Sequence, residues 1–92
     1  DPRGTDAFAY LMAIGTLQLE KLSDYSTALG VFERVLSECH DATQRSSAYY
    51  QARACYQRMR DDEGTRNILR RMRNEFPDDS DEHRYAESGL SN

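Results

Sequence analysis

The chain has 92 residues, of which 38% are hydrophobic, no Trp, and a formal net charge of −4. A single small domain with so modest an apolar supply must build its core from narrow stripes and few long loops. The acidic balance argues against nucleic-acid binding, and no apolar run approaches the roughly 18 residues that cross a bilayer.

β-branched residues are sparse and never alternate over several positions, so the expectation is all-α. A first helix is expected from about Asp6 to Leu22, ended by Ser23–Asp24. A second runs to about Cys39, and Asp41 opens a third that reaches about Arg60. Asp61–Gly64 opens a fourth, which Pro77 stops, and Ser80 or Asp79 opens a fifth that runs toward the end. Asp24, Asp41 and Asp61 are good N-caps, because a short carboxylate accepts from the orphan amides of the first turn. Asp41 with Gln44, and Asp79 with Glu82, have capping-box spacing. Every link is short, so consecutive helices must run antiparallel.

Shifting the chain by 37 residues superposes these helices on themselves. Met12 falls on Tyr49, Gly15 on Ala52, Leu19 on Tyr56, Val31 on Ile68, Phe32 on Leu69 and Val35 on Met72, while Asp24 falls on Asp61. Apolar meets apolar, and the helix-opening Asp recurs. A repeat at this period is the mark of a helical solenoid. The units are about 6–40 and 41–77, followed by a helix at about 79–91 whose Tyr85, Ala86, Gly89 and Leu90 share one face. That single stripe is enough to cover the preceding pair. The helix is therefore expected to act as a cap and to leave the domain, residues 1–92, monomeric.

The stretch "DYSTALGVFERVL" (residues 24–36) with its counterpart one period later resembles the tetratricopeptide repeat family. Tyr25, Ala28, Phe32 and Val35 fall on the family's pattern in the first unit, and Tyr49, Ala52, Tyr56, Leu69 and Pro77 in the second. There are departures: Gly15 stands one place early, Arg53 stands at its counterpart, Thr65 replaces an alanine, and His40 stands where Pro77 stands one unit later. The junction "NEFPDDSDEHRYAESGL" is similar to those of bacterial envelope repeat proteins, including lipoproteins and Tol–Pal-associated periplasmic proteins. The resemblance implies that Ala28, Gly15 and Ala52 mark close helix crossings. Gly30 lies off that pattern, and one reading of it is a tolerated surface glycine.

In this family the first helices line a concave groove that binds a peptide or helix of another protein. Carried over, the groove positions are Tyr10, Ala13, Leu17, Glu20 and Lys21, then Ser47, Tyr50, Ala54, Gln57 and Arg58. Tyr50 stands next to Tyr49 and must point about 100° away from the core face. The family's carboxylate clamp is disfavoured, since Ala13, Leu17 and Gln51 replace its Lys and Asn positions.

No catalytic set, cofactor motif or metal-ligand spacing can be assembled, so an enzyme is not expected. His40 reads as a helix-end residue, His83 as an exposed first-turn residue, and Asp61–Glu63 as a helix-opening acidic run. Cys55 lies roughly 20 Å along its helix from the turn near Cys39, too far for a disulfide. The charge is zoned: residues 48–73 hold 7 bases and 3 acids, residues 74–92 hold 1 base and 6 acids. Arg58, Arg60, Arg66, Arg70, Arg71 and Arg73 either meet an anionic partner or pair with neighbouring acids such as those of the tail. The leading expectation is a non-enzymatic protein-interaction module. Self-association through the end faces and anion recognition by the Arg-bearing helices are the alternatives. The compartment, cytoplasm or bacterial periplasm, stays open.

Overall fold

The computed structural model describes residues 2–91, with side chains from Ala7 onward. The backbone forms five helices: α1 (Pro2–Glu20), α2 (Tyr25–Glu38), α3 (Ala42–Arg58), α4 (Asp62–Glu75) and α5 (Asp81–Ser91). No strand occurs among the described residues. Asp24, Asp41 and Asp61 open their helices as expected, their Oδ1 atoms accepting from the amides of Thr27 at 3.3 Å, Gln44 at 3.0 Å and Gly64 at 2.9 Å. The fifth helix is capped by Ser80, whose Oγ accepts from the His83 amide at 3.0 Å. The Asp79–Glu82 capping box does not form. Glu82 instead accepts a 2.9 Å hydrogen bond from the buried Ser46 of α3, a partner that satisfies both groups across the helix interface.

Two helix ends fall short of expectation, α1 at Glu20 and α3 at Arg58. After each, a non-glycine residue turns left-handed, Ser23 at φ 52° and Arg60 at φ 58°. The amide after Arg60 bonds back to Tyr56 O at 2.9 Å and Arg60 itself to Gln57 O at 3.0 Å, satisfying the last carbonyls of α3.

Each helix contacts the next in sequence, and α1 also touches α3 directly. Links of three to five residues between contacting helices force a reversal of direction at every turn. Phe32, Val35, Ile68, Leu69, Met72 and Cys55 are the largest fully buried side chains, drawn from α2, α3 and α4. Ala28, Ala52 and Ala86 are fully buried between them. A Cβ at Gly15 would stand 2.6 Å from the Phe32 ring, and one at Gly89 would stand 2.7 Å from Leu69 Cδ1. Gly15, Ala52 and Gly89 are successive counterparts in the sequence repeat, and at Gly15 and Gly89 a large second-helix residue presses on the small position. Gly30, by contrast, is exposed with nothing near it, a surface glycine.

Charged side chains fasten the two pairs together. Arg45 of α3 donates to both oxygens of Glu75 in α4 at 2.6 Å, to Cys39 O at 3.0 Å and to Leu36 O, so it also caps the end of α2. Glu75 accepts a further 2.7 Å bond from the Tyr49 hydroxyl, and Arg71 of α4 makes a two-pronged pair with Glu33 of α2. The Arg45 and Tyr49 hydrogen bonds outweigh burial and hold the Glu75 carboxyl below the usual carboxylate range. Between α4 and α5 lies an open recess of about 210 Å³, lined by Asp62, Thr65, Arg66, Leu69 and Gly89.

Candidate protein-binding surface

α1 and α3 touch directly. The face of α1 is unusually apolar for a surface. Tyr10 is 68% exposed and Leu17 50%, with exposed Ala13 between them and Leu22, 60% exposed, just past the helix end. These three are the exposed large hydrophobics among the described residues. Glu20 and Lys21 border them, also exposed. On α3, Gln57 and Arg58 are exposed, whereas Ser47, Tyr50 and Ala54 are half-buried.

The expected strip of Tyr10, Leu17, Tyr50 and Arg58 requires correction at Tyr50. Its ring does not stand free but meets Tyr85 of α5 edge-on, with centroids 4.7 Å apart, and rests against the core. Burial accordingly raises its phenol pKa, with the nearby Glu82 adding to the effect. The fifth helix, absent from the groove positions carried over from the family, supplies this cover. Arg58 lies over the ring of Tyr25 in α2, 6.0 Å from its centroid. The Tyr25 phenol is lowered, by Ser23 first and Arg58 second.

Sequence reasoning noted Arg53 only as a departure from pattern, yet it belongs to this surface. Its guanidinium lies 5.0 Å from the Tyr85 centroid and donates through Nη1 to Gln57 Oε1 at 3.1 Å. Its Nε is buried and donates to nothing among the described residues. The available signal was α3 itself, which carries three arginines and no acid.

Of the other candidates, Arg60 and Arg66 are exposed and make no ion pair among the described residues. Arg71 and Arg73 meet Glu33 and Glu87, as the pairing alternative expects, and Arg70 donates to Asn67. His83 is half-buried rather than exposed, its Nδ1 3.0 Å from Arg73 O, because α5 docks its first turn on the end of α4. Cys39 and Cys55 are buried free thiols, and burial pushes Cys55 up to about 11. Among the described residues no group of three or more His, Cys, Asp or Glu could hold a metal, and no helix is long and apolar enough to cross a membrane. Comparison with protein-family models, with curated proteins and with solved structures gives no match, so the surface itself carries the functional reading.

Proposed function

We propose that the chain is a non-enzymatic protein-interaction module, a helix-pair array of the tetratricopeptide repeat kind. It binds an extended segment or a helix of another protein across the outward faces of α1 and α3. The observation that carries this reading is the concentration of exposed large hydrophobics on α1, Tyr10 and Leu17 above all. Exposing them costs solubility and gains nothing for the core, and aromatic anchors are the usual hot spots of an interface. The polar border of Glu20, Lys21, Gln57 and Arg58 fits the rim of such a site.

A peptide-display selection on the folded protein tests it. Selected peptides should lose at least about tenfold in affinity with Tyr10→Ala or Leu17→Ala, a loss of about 1.4 kcal/mol or more. Both variants should melt as the parent does. Peptides indifferent to both substitutions would move the site elsewhere. A concentration-dependent dimer in sedimentation that Leu17→Glu dissolves would favour self-association through the same face.

A further inference from the structure

Two arginines of α3 carry no counter-charge among the described residues. Of the three arginines of α3, Arg45 is held by Glu75. Arg53 and Arg58 have no carboxylate within ion-pair distance among the described residues. Arg34, Arg45, Arg71 and Arg84 each meet a carboxylate within 2.8 Å, whereas Arg60, Arg66 and Arg70 are exposed, meet none among the described residues and lie over no aromatic ring. Arg53 and Arg58 instead lie against Tyr85 and Tyr25. An aromatic face steadies a guanidinium without neutralising it, and leaves the edge of the fork open to an anion. Arg53 Nε is buried without a partner and Nη1 is taken by Gln57, while Nη2 donates to nothing among the described residues and can take a carboxylate.

The two flank one strip. Arg53 leans toward α5 and Arg58 toward α2, and between them Ala54 leaves room for a backbone to approach. Five residues of helix rise about 7.5 Å and turn through about 140°, so the two guanidiniums diverge and stand further apart than the rise alone. Resting on the binding reading above, we propose that the partner is an acidic segment, and that Arg53 and Arg58 each receive a carboxylate from it.

The probe is acetyl-Gly-Glu-Gly-Glu-Gly-amide, with the Gln-for-Glu peptide as control, followed in proton–nitrogen correlation spectra. The expected result is a shift of the Arg53 and Arg58 Nε–H resonances with the Glu peptide alone, weakening as salt is added. Arg53→Gln should weaken binding at least about tenfold, the loss expected for one charge-assisted hydrogen bond. Arg58→Gln, at an exposed position, gives the same readout should Arg53→Gln not fold. Equal shifts with the Gln peptide, a response centred on Arg66 and Arg70, or an equal response to inorganic phosphate would each overturn the proposal. Display-selected peptides that need Tyr10 and Leu17 but bind Arg53→Gln normally would end the acidic-partner proposal alone. Peptides indifferent to all three would end the parent reading as well.

Discussion

Ser23 and Arg60, one repeat period apart, adopt the same left-handed backbone, φ 52° and 58°. Each follows the end of a first helix, where glycine is the residue that adopts this conformation without steric cost. Arg60 is exposed and its side chain appears in no ion pair among the described residues. Arg60→Gly is therefore expected to stabilise the fold by about 0.5–1 kcal/mol, since it relieves a left-handed penalty of about 1–2 kcal/mol against the entropy glycine adds to the unfolded chain. Urea denaturation measures the difference. A destabilised variant would mean that Arg60 makes a contact worth more than its backbone costs.

Gly15 and Gly30 should respond oppositely to alanine. At Gly30 nothing obstructs a methyl group, so Gly30→Ala should gain about 0.5–1 kcal/mol of helix propensity. At Gly15 the same methyl meets the rigid Phe32 ring, and overpacking of about 1–3 kcal/mol exceeds that gain. Paired thermal melts decide. A stabilised Gly15→Ala would show that α1 and α2 stand further apart than the 2.6 Å approach to Phe32 allows.

Glu75 sets an acid limb to stability. Its folded pKa lies below the unfolded value of about 4.3, so its contribution is complete above that value and is lost as pH falls through the folded pKa. Glu75→Gln should cost about 1–3 kcal/mol at neutral pH, having lost a charged hydrogen-bond partner for Arg45 and Tyr49. Its stability should also depend less on pH below about 4.3 than the parent's. Identical acid limbs for the two proteins would refute the role given to Glu75.

Tyr50→Ala separates the two possible placements of this ring. An exposed ring would leave stability within about ±0.5 kcal/mol. Removing the edge-on contact with Tyr85 forfeits about 0.5–1.5 kcal/mol, in addition to the apolar area. A measurable loss of stability is expected, with α5 loosened first and detectable by hydrogen exchange over Asp81–Ser91.

The beginnings of the second, third and fourth helices were legible because one atom type decides each: a carboxylate oxygen three residues before the amide it accepts from. The apolar positions of α2 and α4 were legible because their stripes repeat at one period. The ends of α1 and α3 were not, because Ser23 and Arg60 turn left-handed without the glycine that would announce it. Tyr50 was misplaced for a different reason. Its angle on α3 could be counted from sequence, but whether solvent or another helix lies at that angle depends on how far α5 folds back. The Arg53–Tyr85 contact was hidden in the same way. It joins two helices whose relative rotation no spacing within either one specifies.

The recess between α4 and α5 gives the molecule a direction. Its Asp62, Thr65 and Arg66 stand one period after Tyr25, Ala28 and Leu29, so largely apolar positions of the first copy have become polar in the second. The α1 side carries the reverse character, with Tyr10 and Leu17 uncovered. Stacking unlike flanks, the arrangement that propagates into filaments, would press those apolar groups onto Asp62 and Arg66 and strip both charges of water. Only apolar against apolar avoids that cost. A contact between two α1 sides would join like to like and close at two molecules, so Asp62, Thr65 and Arg66 disfavour open-ended stacking of copies.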